Sequence, residues 1–278
     1  MSQYQEISDR ELYGVMKLHY DCLHSKGAAG RQLDLRGYDL QGRTFRNYNF
    51  GGALLSEANL EKCHFENCTF SLTDLSAVQA SGATFDRCTF ESSKLQYANL
   101  HATQHHRIVY NGIRLDHVKM DESIHDSTEF LFCNGDDLDL SNSRFVAVRF
   151  REGVFDYINL NKATMDGTYL DSVSMYHANT KGLHLDSAIL HDMTNFPILQ
   201  VGPIPSIGQT SFYAAYNYKT DEVSCRKLFG DRMATLEQFR DTVRKEKLLP
   251  MSKLFLKESF KLFDAAREAN RKSRTSGR

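Results

Sequence analysis

The sequence predicts a four-sided solenoid rod, opened by a helix and closed by a small α+β unit, and three observations carry that prediction. First, the chain keeps a five-residue beat from Leu35 to Leu190 without an insertion, and core-type residues dominate the beat position. Leu35, Leu40, Phe45, Phe50, Leu55, Leu60, Phe65 and Phe70 open the series, and Leu160, Met165, Leu170, Met175, Leu185 and Leu190 close it. Neither the 3.6-residue period of a helix nor the 2.0-residue period of a strand gives that spacing, so it calls for a repeat architecture. Second, the series repeats in fours. Leu35, Leu55, Leu75, Leu95 and Leu115 lie twenty residues apart, as do Phe50, Phe70, Phe90, Phe130 and Phe150. Twenty residues therefore make one coil of four sides, with Leu stacked on Leu and Phe on Phe. Third, the residue two before each centre is small, as in Ala53, Ala58, Cys63, Cys68, Thr73, Ala83, Cys88 and Ala98, which suits a second inward position near a crowded axis.

Each element follows in order. Residues 1–30 form an N-terminal helical cap: Ser8 and Glu11 make a capping box, Leu12, Val15, Met16, Leu18 and Leu23 give an apolar side, and Gly27 to Gly30 end the helix. A solenoid exposes the apolar end of its first coil, which this helix is expected to cover. Residues 31–194 are the rod. Its unbroken register covers 32 pentapeptides, or eight coils, between positions 31 and 190; at the ordinary strand spacing that is about 38 Å of length. An unslipped register leaves no long loop to carry a catalytic site.

Residues 195–250 read as a small α+β module. Pro197, Gly202, Pro203, Pro205 and Gly208 break the rhythm, Thr210–Tyr218 and Val223–Phe229 read as two strands, and Thr235 with Gln238 caps a helix bearing Leu236, Phe239 and Val243. Residues 251–278 form an amphipathic helix and a basic tail. Leu256, Phe260 and Phe263 make its seam, expected to pack on the last coil or on a second copy, and Asn270–Arg278 are expected to be disordered.

Composition is that of an ordinary soluble protein. Apolar runs fall far short of the ~18 residues a membrane span needs, and no signal peptide opens the chain, so a cytoplasmic location is expected. Net charge is −1, unevenly placed: residues 31–190 carry 21 acidic and 15 basic side chains, residues 191–278 carry 10 and 16. Cys63, Cys68, Cys88 and Cys133 fall on the small inward position, where a thiol acts as apolar filler, and no CxxC pair supports a zinc site.

The sets Leu33-Asp34-Leu35-Arg36-Gly37, Ala58-Asn59-Leu60 and Ala98-Asn99-Leu100 resemble the A(D/N)LxG units of the pentapeptide repeat family. The resemblance implies a right-handed quadrilateral β-helix, but no single function. The entry segment Leu18-His19-Tyr20, Gly30-Arg31 and Leu33–Gly37 is similar to the start of phage and prophage members. Val201–Ile204, Tyr213–Tyr216, Cys225–Gly230 and Leu236–Phe239 resemble a small module that follows such repeats in phage proteins, and the bacterial host cytoplasm is the implied setting.

Catalytic motifs are missing: there is no G-x-S-x-G, no P-loop and no G-x-G-x-x-G. Cys225 lies in a basic neighbourhood beside Arg226 and Lys227, which by itself makes no catalytic site, and Gly135-Asp136-Asp137 reads as a tight corner with solvated charges. The protein is therefore expected to be no enzyme and to use no cofactor. His105 and His125 are expected to stack inside the rod as a buried structural pair, with a metal site the weaker reading. His106, His117, His177, His184 and His191 read as surface positions without shared spacing.

Binding surfaces offer more. The side centred on Leu35, Leu55 and Leu75 carries Asp34, Glu57, Asp74, Asp116, Asp136, Asp137 and Asp156 against Arg36, Lys94 and Arg114. A rigid line of carboxylates can replace DNA phosphates in a protein groove, the logic inferred for the quinolone-resistance pentapeptide proteins that bind DNA gyrase. The expectation is a phage-type interaction protein that binds and inhibits a host DNA-handling enzyme such as DNA gyrase or a defence nuclease. The alternatives are a structural phage protein with the rod as spacer and the module for docking, and, as a minor one, an enzyme active in the module. Direct nucleic-acid contact is not expected of the rod but is open to the basic C-terminus, and a homodimer through the C-terminal seam is an option.

Overall fold

The computed structural model describes residues 4–185, 187–206 and 209–276. Parallel ladders run up the rod on all four sides, each step joining residues twenty apart: Phe45 to Phe65, Phe90 to Tyr110, Asp39 to Asn59, Asp34 to Leu54. One side climbs through positions 44, 64, 84, 104, 124, 144, 164 and 184, which are eight rungs joined by seven steps. The backbone closes each step in both directions, with Leu54 N–H donating to the Leu33 carbonyl at 2.9 Å and Leu35 N–H to the Leu54 carbonyl at 2.8 Å.

Corners explain why the beat is five. The residue two after each centre takes a left-handed conformation, with φ near +50° to +63° at Glu57, Leu72, Tyr97, Ala102 and Tyr157, and glycine fills only some of these corners. Left-handed geometry costs an L-residue about 1–2 kcal/mol. Each corner recovers that through the ladder bonds it permits, as at Tyr97, whose N–H reaches the Asp116 carbonyl at 3.0 Å.

Inside, the aromatic columns are continuous. Phe50, Phe70, Phe90, Tyr110, Phe130 and Phe150 stack with ring centres 4.6–4.9 Å apart. Phe45, Phe65, Phe85, His105, His125 and Phe145 form the adjoining column at 4.5–5.5 Å. The small inward residues do more than fill space. Cys63, Thr73 and Cys133 donate to the carbonyls of Leu40, Phe50 and Tyr110, each 23 residues earlier. Burial also pushes the Cys63 and Cys133 thiols up to about 11.

Gly135 does not turn a corner. It is buried at a centre of the beat, and the left-handed corner is Asp137. Gly153, on the neighbouring small inward position, is required by the ring of Phe155: a Cβ there would lie 2.7 Å from that ring and 2.6 Å from the Cys133 carbonyl.

Both ends of the rod are covered. At the start, α1 (Asp9–His24) has the Ser8/Glu11 capping box and buries Leu12 and His19. His19 Nδ1 accepts the Leu33 N–H at 3.1 Å, and the Tyr48 hydroxyl donates to the Met16 carbonyl at 2.7 Å. The chain before the helix adds a rung of its own, with Gln5 paired to Tyr38.

At the other end an antiparallel sheet of Ile198–Ser206, Gln209–Asn217, Glu222–Ser224 and Ala234–Thr235 covers the last coil. Its residues alternate. Ile198 and Ala215 join the rod core, while Val201, Ala214 and Tyr216 join a second core with α3 (Leu236–Lys245) and α4 (Pro250–Ser276). Asn217 fixes the junction by donating to the Thr180 hydroxyl at 2.8 Å.

Four sequence expectations change here. The Pro-rich segment 198–206 is a strand with register shifts where its prolines fall, and Arg226–Phe229 is a short helix, α2, rather than the end of a strand. Helix α4 runs on through the residues expected to be disordered, up to Ser276. Arg267 is held by Asp221, Asn270 by the Tyr218 carbonyl and Arg274 by the Lys219 carbonyl. Finally, the seam is spent within the chain. Leu256 and Phe263 are 2 % exposed in the module's own core and Phe260 packs beside them, so the seam packs within the module rather than on the rod's last coil.

Candidate interaction surface

The acidic side assembles as a flat surface with defined gaps. Asp34 is held by Arg36 at 2.7 Å, Asp116 by Arg114 at 2.8 Å, and Asp137 meets His117 at 3.4 Å. Asp74 accepts from the Ser76 hydroxyl at 2.6 Å and lies 4.0 Å from Lys94. Glu57, Asp136 and Asp156 have no ion pair among the described residues, and Glu57 and Asp136 are exposed. The seven carboxylates are thus unequal. Asp116, Asp136 and Asp156 stand at equivalent positions of three successive coils with Asp137 beside them, while Asp34, Glu57 and Asp74 are scattered near the N-terminal end. Like charges on neighbouring rungs are held close only because the backbone ladder dictates it, so a cationic partner relieves them.

Sequence reading missed the aromatic edge of this side. Tyr97 stacks on His117 at 4.9 Å and Tyr157 on His177 at 5.1 Å, and Tyr176 meets His177 edge-on. These tyrosines are exposed beside the Asp136/Asp156 cluster. Their signal was the twenty-residue spacing of Tyr97, His117, Asp137, Tyr157 and His177.

Four histidines meet an aspartate one coil away: His101 with Asp121, His106 with Asp126, His117 with Asp137 and His191 with Asp171. His184 is not a surface residue: it is buried, because the module lies over it, with Glu222 bound to Gly182 and Ser224 to Leu185.

His105 and His125 stack at 4.5 Å in the sealed core. Thr103 donates to the Leu100 carbonyl at 2.6 Å, so its oxygen accepts from His105 Nε2–H, and His105 Nδ1 accepts from the Tyr110 hydroxyl, both at 2.8 Å. That engages both ring nitrogens and leaves no lone pair for a metal. One coil on, Ser123 repeats the role of Thr103, but Phe130 replaces Tyr110 and His125 Nδ1 has no partner. Burial holds His105 down to about 3 and His125 well below its ordinary value. Phe130→Tyr should place a hydroxyl on His125 Nδ1 and add about 1 kcal/mol. Thermal unfolding checks this, and an unchanged or lower midpoint would contradict the assignment.

In the module, Cys225 is buried at the start of α2. The groove between α3 and α4 is lined by Arg240, Arg244, Lys253, Lys257 and Lys261 over Leu256 and Phe260, with Arg240 clasped by Glu237 and Asp264. On the outer side of α4, Met251, Leu254, Phe255 and Leu262 are exposed. No helix among the described residues is long and apolar enough to cross a membrane.

These features define a parallel β-solenoid built from stacked pentapeptides, whose accessible chemistry lies on flat sides and on a terminal module. The family model "Pentapeptide repeats (8 copies)" matches residues 34–71 and 72–104, which supports the pentapeptide repeat family for the rod. No curated protein matches the sequence.

Among solved structures, full-length QnrB1, a plasmid-mediated fluoroquinolone resistance protein, is 12% identical over 59% of this chain and 91% of its own, with a TM-score of 0.31. HetL, involved in heterocyst differentiation regulation in the cyanobacterium Nostoc sp. strain PCC 7120, is 16% identical over 68% and 93%, with a TM-score of 0.21. Rfr23 from the cyanobacterium Cyanothece 51142 is 15% identical over 64% and 97%, with a TM-score of 0.22. Likenesses this distant carry no argument about function.

Proposed function

We propose that the protein is a non-enzymatic interaction protein of phage or prophage type, and that its acidic side occupies a cationic, DNA-binding groove on a host DNA-handling enzyme such as DNA gyrase. The observation that carries this reading is the Asp116, Asp136, Asp156 succession with Asp137 at its edge, held on a rigid backbone. Preset charge costs no ordering on binding, which a flexible acidic tail would have to supply. Wild-type protein is expected to inhibit gyrase supercoiling in proportion to its concentration, and the variant Asp136→Lys, Asp137→Lys, Asp156→Lys to lose at least tenfold in potency. Full inhibition by the variant, or none by the wild type, counts against gyrase mimicry.

A second reading rests on α4. Its inner seam is buried, but Met251, Leu254, Phe255 and Leu262 are left in solvent, which suits docking of the module on a second copy or a larger assembly. Phe255→Glu with Leu262→Glu should then convert an assembled species to monomer in light scattering, whereas a wild-type monomer at every concentration would remove the dimer.

A further inference from the structure

We propose a divalent-metal site of Zn²⁺ type at the C-terminal end of the rod, made by Asp171, His191 and Asp192. Asp171 and His191 are partners in the parallel ladder of neighbouring coils, so the backbone fixes their side chains together. His191 Nδ1 lies 2.8 Å from Asp171 Oδ1 and 3.5 Å from Asp192 Oδ2, and the three ligand atoms all lie within 4.8 Å of one another. An ion bound at about 2.0–2.1 Å holds its ligand atoms roughly 3.0–3.4 Å apart, so these separations bracket what one ion needs.

The other histidine–aspartate pairs of the rod supply a comparison within the same molecule. His101–Asp121 and His106–Asp126 repeat the same one-coil pairing, yet neither belongs to a three-ligand group, and Asp171, His191 and Asp192 are the one such group among the described residues. The imidazole favours Zn²⁺ over Mg²⁺, and two carboxylates neutralise the ion's charge. Three protein ligands leave a position for water or for a group from a partner. Ser172 donates to Asp171 Oδ1 at 3.1 Å, which orients that carboxylate, whereas Arg151, 3.8 Å from its other oxygen, opposes a cation. Bound metal would tie the eighth coil to the segment that leads into the module.

The test is titration of the full-length protein with ZnCl₂ by calorimetry, alongside MgCl₂. One Zn²⁺ per chain is expected, with Mg²⁺ at least tenfold weaker. Asp192→Asn and His191→Gln should each weaken Zn²⁺ at least tenfold, Arg151→Gln should tighten it, and His106→Gln should leave it unchanged. Absence of Zn²⁺ binding, or an affinity that survives both Asp192→Asn and His191→Gln, overturns the site. Far-UV circular dichroism of each variant separates ligand loss from misfolding.

Discussion

Acid is expected to unfold this protein from about pH 6.5 downward, and the buried histidines to set the slope. In the unfolded chain both histidines titrate near 6.5. In the folded chain burial holds His105 at about 3 and His125 well below its ordinary value, with the neighbouring His105 also opposing charge on His125. Between those values the unfolded state binds more protons, so stability is complete above about pH 6.5 and falls as pH drops. The loss is up to about 1.4 kcal/mol per pH unit for each histidine.

His191 has the opposite sign. Asp171 raises its pKa, so its contribution is present at low pH and fades as pH rises past that value. Urea unfolding between pH 7.5 and 4 measures the balance. The variant His105→Phe, Tyr110→Phe, His125→Phe extends the phenylalanine columns and leaves no hydroxyl unpaired at Tyr110. Its stability should be nearly flat across that window, and a parallel fall in wild type and variant would move the cause to the carboxylates.

Phe70→Ala is expected to cost about 3–5 kcal/mol, among the largest losses any single truncation can produce here. Its ring lies 4.9 Å from Phe50 and 4.7 Å from Phe90, with edge contacts to Phe65 and Phe85, so no neighbour can close the void without leaving its own stack. Solenoids couple mainly between adjacent coils, so the damage should spread from that rung toward the nearer N-terminal end. Hydrogen exchange would show early loss of protection in residues 44–91, with the coils beyond residue 130 still protected. Leu72→Ala, two residues away but solvent-exposed, is the control and should change little. Uniform loss of protection along the rod would mean that it unfolds as one block.

Much of this fold was legible because one constraint repeats. Phe50, Phe70 and Phe90 announce a stacked column by spacing alone, and Cys63 and Cys68 announce an inward position by size. Features without a repeat were not legible. Gln5 pairs with Tyr38 by joining an open edge, which no local pattern marks. The left-handed corners fall on Leu72, Tyr97 and Tyr157, residues that carry no turn signal, because the ladder rather than local preference imposes them. The strand at 198–206 was hidden by prolines that a two-sided edge tolerates. His184 was read as exposed because its burial depends on a module some forty residues later in the chain. On that side of the rod the run of carboxylates was legible in the sequence, but the tyrosine–histidine edge that runs along it was not.

That surface is best tested by quantitative capture from host lysate on immobilised protein. Three forms are compared: wild type, the variant with Asp136, Asp137 and Asp156 changed to Lys, and a variant with Asp121, Asp126 and Asp166 changed to Lys on another part of the rod. The account predicts that the first variant loses a specific DNA-handling partner at least tenfold while the second retains it. Equal capture by all three forms, or loss with the second variant alone, would contradict the acidic side as the binding surface.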